Sequence, residues 1–114
     1  MIPGRYNITC PQGSTLSKQL TYTIEGLPVN LYGHTARMQV REHHTSTAYI
    51  ISLTTENGGL TLGGAAGTII MDIEPSATKN IVAKEYVYDL ELVVGAEVYR
   101  LIEGKFIVTP EVTR

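Results

Sequence analysis

The stretch EYVYDLELVVGAEVYRLIEGKFIV, residues 85–108, decides the fold class of this 114-residue chain. Side-chain character alternates along it with a period of two, interrupted only at Gly95-Ala96 and at Gly104. Successive side chains of a β-strand point to opposite faces, so the pattern predicts two long strands, each with one face in a core. Gly95-Ala96 predicts the turn between the strands, and Gly104 predicts a β-bulge in the second one.

The same period continues through the segments STLSKQLTYTIEG, HTARMQVRE, AYIISLTT and TIIMDIE. In the first segment one face carries Leu16, Leu20, Tyr22 and Ile24, with Lys18 as its single exception. Side chains of shared parity within a strand lie on the same face, and the apolar face is the one that is buried. The pattern therefore predicts a core that includes Leu20, Tyr22, Met38, Val40, Ile51, Ile69, Met71, Tyr88, Leu90 and Phe106.

The connections between these segments carry turn signals. GLPVNLYG and GGAAG are punctuated by Gly and Pro and predict loops. ENGG predicts a β-hairpin, because Asn-Gly tolerates the positive φ angles of a tight turn. PSATKN, residues 75–80, predicts the one helical turn, with Pro75 at its first position.

These elements amount to about seven or eight strands with turn signals at roughly regular spacing. We therefore predict an all-β fold, an antiparallel immunoglobulin-like β-sandwich with one short helical crossover, formed by residues 1–114 as a single domain. EYVYDLEL, which follows the crossover, resembles the tyrosine corner of such sandwiches, with Tyr86 as the corner residue.

Composition excludes several classes of function. Nine Lys and Arg against eleven Asp and Glu give a net charge of −2, which lacks the basic field of a nucleic-acid-binding protein. No apolar run has the length of a membrane span, and the first residues lack a signal-peptide layout, so we expect synthesis and folding in a cytoplasm. Cys10 is the only cysteine, which excludes an internal disulfide.

The candidate chemical clusters all have simpler explanations. Glu42-His43-His44 invites a metal site with His34, but neighbouring side chains on a strand face opposite ways. Asp89 and Glu91 share a polar strand face, and GGLTLGGAAG lacks the spacing of a phosphate-binding loop. We therefore expect no catalytic residue, no cofactor and no metal, and a protein that is not an enzyme.

A family resemblance adds what the residue patterns leave open. CPQGSTLSKQLTYTIEGLPVNLYGHTARMQVR, residues 10–41, places a QG before an alternating strand, then a Gly-x-Pro turn and a Leu-x-Gly-x-Thr-Ala-x-Met-x-Val-Arg segment. With residues 53–93 and RLIEGKFIVTPEVTR, it resembles small immunoglobulin-like structural proteins of tailed bacteriophages. It is similar to the N-terminal domain of phage upper baseplate proteins. Lys84-Glu85 departs from this family, which has a Gly-containing approach to the tyrosine.

The resemblance implies a non-enzymatic virion structural protein, a multi-copy adaptor of the tail, baseplate, neck or fibre attachment. Its partners would be other virion proteins and copies of itself in a symmetric assembly, with no nucleic acid and no membrane span. It would be made in the cytoplasm of the host bacterium and reside in the phage particle. Its contacts would come from edge strands, the chain ends and the two loops.

Tyrosine is favoured at contact surfaces because it combines area with a polar tip. The candidate interface residues are Tyr32, Tyr49 and the C-terminal residues Pro110, Glu111, Val112, Thr113 and Arg114. The alternative function is a carbohydrate- or receptor-binding β-sandwich on the virion surface. Such a module needs an exposed aromatic platform, which this chain, without Trp, would have to build from tyrosine.

Overall fold

A computed structural model describes residues 4–113 of the chain, which are 54% strand and 6% helix. The all-β prediction is confirmed. The described residues form eleven strands, β1 to β11, with a 3-10 turn at Gly64–Ala66 and one helix, α1. In chain order the strands are Gly4–Arg5, Ile8–Pro11, Leu16–Thr21, Thr23–Ile24, Leu27–Pro28, Thr35–Arg41, Ile51–Thr54, Leu60–Leu62, Thr68–Ile73, Glu85–Val94 and Glu97–Thr109. Helix α1 is Pro75–Thr78, between β9 and β10, so the predicted helical turn is confirmed.

Two sheets share one hydrophobic core. The larger sheet has the order β1-β11-β10-β6-β7, with β2 also paired to β11, and the smaller has the order β3-β9-β8. The strands pair antiparallel within these sheets, except that β1 and β2 run parallel to β11. The prediction of a purely antiparallel arrangement is wrong at this edge, because the N-terminal strands lie beside the C-terminal one.

The strand count also differs from the prediction, chiefly because the segment STLSKQLTYTIEG bends. The backbone N–H of Tyr22 donates to the carbonyl of Gly67 at 2.8 Å, which ends β3 and turns the chain. Strands β4 and β5 then pair with each other as a separate hairpin. Its two turn residues, Glu25 and Gly26, have φ angles of 53° and 80°, as a type I′ turn requires.

The core follows the predicted parity closely. Eight of the ten predicted core residues are buried: Met38, Val40, Ile51, Ile69, Met71, Tyr88, Leu90 and Phe106. Leu20 and Tyr22 are only partly buried, since they lie where the chain leaves the smaller sheet. Lys18 occupies the inward parity of edge strand β3 and is also partly buried.

The predicted bulge in β11 lies three residues from its expected position. Leu90 pairs with Ile102 and Glu91 pairs with Arg100, so Leu101 is the extra residue. Gly104 instead lies in register opposite Tyr88 and lets the chain between β1 and β2 approach. A Cβ atom at Gly104 would lie 2.9 Å from the carbonyl carbon of Tyr6, well inside van der Waals contact.

ENGG does not form a hairpin. Strand β7 pairs with β6 in the larger sheet, whereas β8 pairs with β9 in the smaller one. The turn therefore carries the chain from one sheet to the other. Gly58 has a φ of 82°, as expected from the sequence, but a turn signal does not specify which strands it joins.

Two side-chain contacts fix the helical crossover between the sheets. The buried hydroxyl of Thr78 accepts a hydrogen bond from the backbone N–H of Gly13 at 2.9 Å. The hydroxyl of Tyr86 donates to the backbone carbonyl of Val82 at 2.6 Å. The second contact has the form predicted for a tyrosine corner, in which the hydroxyl reaches back to the backbone a few residues upstream.

Candidate interaction surface

Large apolar side chains are exposed on the β4–β5 hairpin. Ile24 and Leu27 lie directly opposite each other on these two-residue strands, and Leu27 is 70% exposed. The sequence pattern placed Ile24 on the inward face of a longer strand, and this prediction is wrong. The alternation continues in the sequence, but the hairpin turns the segment away from the core.

The base of the hairpin is held firmly against the GGAAG loop. The N–H of Val29 donates to the carbonyl of Tyr22 at 2.9 Å, and the N–H of Tyr22 donates to Gly67. Gly67 has a φ of 69°, and a Cβ there would lie 3.0 Å from the backbone nitrogen of Val29. Glycine at this position therefore allows the two loops to meet backbone to backbone.

Tyr32, one of the predicted interface residues, is 73% exposed on the same pair of loops. Its ring lies over Gly64, where a Cβ would be 2.7 Å from Cζ. The preceding residue, Leu31, is buried and donates its N–H to the carbonyl of Gly64 at 2.9 Å. We call Ile24, Leu27 and Tyr32 the loop-end surface.

An apolar groove begins at the base of the hairpin. Its walls come from the end of β3 and from β9 and β11, and its volume is about 240 Å³. The residues that line it are Leu20, Thr21, Tyr22, Thr23, Ile69, Leu101 and Ile102. This groove explains why Leu20 and Tyr22 stay partly exposed. It extends the apolar character of the loop-end surface along the seam between the sheets.

Tyr49 and the C-terminal residues lie elsewhere. Tyr32 precedes β6, and Tyr49 precedes β7, whose first residue pairs with Val40 near the end of β6. The two tyrosines therefore lie at opposite ends of β6, a strand about 20 Å long. The C-terminal residues follow β11, whose last residues pair with β2 at the far edge of the sheet from β7. The structure therefore does not bring the predicted interface residues together.

The C-terminal segment is partly attached to the protein. The N–H of Glu111 donates to Oε1 of Gln12 at 3.2 Å, and the Glu111 carboxyl group lies against Gly13. Pro110, Val112 and Thr113 are exposed, and Val112 is 89% exposed. Arg114 lies outside the described residues, as do residues 1–3 of the other chain end that was predicted to make contacts.

Glu42, His43 and His44 lie in a loop after β6, so the alternation of side chains along a strand does not determine where they point. His34 lies before the same strand. His43 donates its backbone N–H to the hydroxyl of Ser46, and Glu42 forms an ion pair with Lys84. The hydrogen bond and the charge of Lys84 lower the pKa of Glu42. Among residues 4–113, no three His, Cys, Asp or Glu side chains are placed to hold a metal ion.

A polar depression with a volume of about 740 Å³ lies on the outer face of the larger sheet, and the residues that line it include Asp89, Glu91 and Glu103. Asp89 lies 3.3 Å from Nε of Arg100 and directly opposite Glu103. Partial burial, followed by repulsion from Glu91, raises the pKa of Asp89. Arg37 pairs with Glu91 at 2.8 Å. The two carboxylates thus lie on a polar sheet face, as predicted.

Cys10 is buried in the core, and burial raises the pKa of its thiol. A buried thiol of this kind is protonated and unreactive.

Across residues 4–113, no helix is long and apolar enough to cross a membrane. The sequence matches no protein-family model and no curated protein sequence at a significant level.

The sequence pattern did not predict Ile24 as a surface residue, whereas Leu27 and Tyr32 lie in GLPVNLYG, one of the two loops predicted to make contacts. The available signal was Glu25-Gly26, which allows a tight turn within an apparently continuous strand. The groove had no signal in the sequence, because its walls come from strands that are distant along the chain.

Proposed function

We propose that this chain is a non-enzymatic structural protein of a tailed-phage virion, a multi-copy adaptor that binds copies of itself and other virion proteins through the loop-end surface. The observation that carries the proposal is the exposure of Ile24, Leu27 and Tyr32 on two loops that are fixed backbone to backbone. Preformed surfaces of this kind lose little conformational entropy on binding. The resemblance to phage structural proteins supplies the class of partner.

We further propose that the fold is immunoglobulin-like. The order β3-β9-β8 corresponds to strands B, E and D of that fold, and β11-β10-β6-β7 corresponds to G, F, C and C′. Tyr86 lies near the start of the strand that corresponds to F, and its bond to Val82 supports a tyrosine corner. Tyr88, two residues later, occupies the position of the second disulfide cysteine of antibody domains.

The composition of the loop-end surface fits a protein partner. Interfaces have an apolar, aromatic-rich core surrounded by a polar rim. Leu27 and Tyr32 provide the apolar and aromatic part, and the exposed Thr23, Glu25 and Asn30 provide polar groups beside it. Many identical copies on a symmetric ring make modest contacts sufficient, since linked contacts strengthen one another through effective concentration.

The test uses particles of a phage that encodes this chain. Incorporation is measured by quantitative mass spectrometry of purified particles, for the unaltered chain and for the double variant Leu27→Ser, Tyr32→Ala. We expect many copies per particle, and at least a tenfold loss of incorporation for the double variant. Tyr49→Ala, an exposed tyrosine at the opposite end of β6, is the matched control and is expected to incorporate normally.

Two results would contradict the proposal in different ways. Absence of the unaltered chain from purified particles would exclude the virion function. Full incorporation of the double variant would exclude the loop-end surface as the contact. Deletion of residues 110–114 in the same assay measures the contribution of the C-terminal segment separately.

The carbohydrate- or receptor-binding alternative rests on the exposed ring of Tyr32, since sugars stack on such rings. A glycan array probed with the purified chain distinguishes the two functions. Retention on a glycan that is lost in Tyr32→Ala and kept in Tyr49→Ala would favour the alternative.

A further inference from the structure

The side chain of Asn57 covers the outer edge of β7. Its Oδ1 accepts the backbone N–H of Thr54 at 2.9 Å, and its Nδ2 donates to the carbonyl of Ser52 at 3.1 Å. The same Oδ1 accepts the N–H of Gly59 at 2.9 Å, and the Asn57 N–H donates to the hydroxyl of Thr54 at 2.9 Å. Three hydrogen bonds of the side-chain amide and one of the backbone N–H therefore fix Asn57 at this edge.

The register of β7 shows that these backbone groups point away from the sheet. Thr55 donates its N–H to the carbonyl of Ala36, and Leu53 pairs with Met38. Hydrogen-bonded and non-hydrogen-bonded residue pairs alternate in an antiparallel ladder. The backbone N–H and C=O of Leu53 therefore point toward β6, while those of Ser52 and Thr54 point outward. The amide of Asn57 thus bonds one outward acceptor and one outward donor, two of the four backbone groups that Ser52 and Thr54 would offer to an added strand.

Strand β7 has few other features that would oppose the pairing of a further strand with its outer edge. It is the last strand of the larger sheet on this side, and its sequence, Ile-Ser-Leu-Thr, contains no charge and no Pro. Edge strands of soluble proteins are commonly protected by charged residues, by Pro or by bulges. On the smaller sheet, edge strand β3 has such a charge, because Lys18 points inward. Asn57 takes this role on β7.

We propose that Asn57 is an edge cap that prevents β7 from pairing with β7 of a second copy of this chain. A two-fold axis through Leu53 would place Ser52 of one copy opposite Thr54 of the other, so the edge is self-complementary. The strand carries no like charges to oppose this pairing. This inference is independent of the proposed virion function, since it concerns a contact that the protein avoids.

The test compares Asn57→Ala with the unaltered chain by sedimentation velocity over a series of concentrations. We expect the variant to associate at a concentration at least tenfold lower. Hydrogen exchange at the Thr54 amide should be fast in the dilute variant and slow again when it is concentrated. Ser46→Ala is the matched control, because the Ser46 hydroxyl also accepts a local backbone N–H, that of His43, but in the loop after β6 and not at a sheet edge.

A second substitution tests the location of the contact. Ser52→Pro removes an outward N–H and leaves the bonds to β6 intact, so Asn57→Ala combined with Ser52→Pro should associate like the unaltered chain. Asn57→Ser keeps a residue that favours turns while removing the amide, and it replaces Asn57→Ala if that variant does not fold. Unchanged association of the folded variant, with Thr54 exchange that does not depend on concentration, would overturn the proposal.

Discussion

Asp89 and Glu103 lie directly opposite each other on β10 and β11, so two carboxylates share one polar sheet face. Like charges in this position destabilise a sheet. Arg100, at 3.3 Å from Asp89, compensates only in part, because the net effect of burial and of the neighbouring carboxylates is to raise the pKa of Asp89.

Asp89→Asn should therefore stabilise the protein at neutral pH. A raised pKa in the folded state means that ionisation of Asp89 lowers stability as the pH rises above its ordinary pKa of about 3.9. The gain in stability from the substitution should be complete above the raised pKa of Asp89. It should disappear below about pH 3.9, where the Asp89 carboxyl group is neutral in both the folded and the unfolded state. Urea denaturation of both proteins from pH 3 to pH 7 measures it. A loss of stability at pH 7 would mean that the Arg100 ion pair dominates.

Tyr86→Phe should destabilise the protein by about 0.5–1.5 kcal/mol, the usual contribution of one hydrogen bond. The substitution removes the donor to Val82 and keeps the buried ring. Chemical denaturation measures the change, with Tyr49→Phe as an exposed control. Equal stability of the two variants would show that the bond to Val82 does not hold the crossover.

Gly104→Ala should cost roughly 1–3 kcal/mol, as overpacking does. The added methyl group would collide with the backbone of Tyr6, whose N–H donates to the carbonyl of Glu103 at 3.0 Å. Hydrogen exchange should show loss of protection at Tyr6. Gly4→Ala is the control, since a Cβ there meets Ile102 at an ordinary 3.5 Å. Full protection of Tyr6 in Gly104→Ala would contradict the close-approach role.

Leu90→Ala should cost roughly 2–5 kcal/mol, because Leu90 is fully buried between the sheets. Val98→Ala, on the neighbouring strand but 49% exposed, should change stability by less than about 0.5 kcal/mol. The free energy of unfolding in guanidinium chloride measures both. A cost below about 1 kcal/mol for Leu90→Ala would mean that the core repacks around the deletion.

Periodicity predicted those parts of the fold that depend on local sequence. Met38, Val40 and Leu90 are buried as their parity requires, and Pro75 begins the helix. The pattern failed where a tertiary contact overrides it. Tyr22 leaves the sheet because it bonds Gly67, and this contact exposes Ile24, a residue whose parity is otherwise inward.

The candidate surface was predicted only in part, for the same reason. Tyr32 was identified from its residue type and the loop around it, and the structure exposes it. The position of its ring over Gly64, and the groove beside the hairpin, depend on residues that are far apart along the chain. Likewise, the sequence predicted a bulge at Gly104 and a turn at Asn57. It did not predict that Gly104 contacts Tyr6, because those residues are far apart along the chain, or that the Asn57 side chain bonds the edge of β7.

The parallel pairing of β1 and β2 with β11 has a consequence for synthesis on the ribosome. Ile102 and Phe106, the partners of Gly4 and Ile8, emerge 98 residues after them (102 − 4 and 106 − 8). At about 5–20 residues per second, β1 and β2 wait for seconds without their native neighbour. The β10–β11 hairpin can form locally as soon as it emerges, so docking of the N-terminal strands is expected to be the step that completes the sheet.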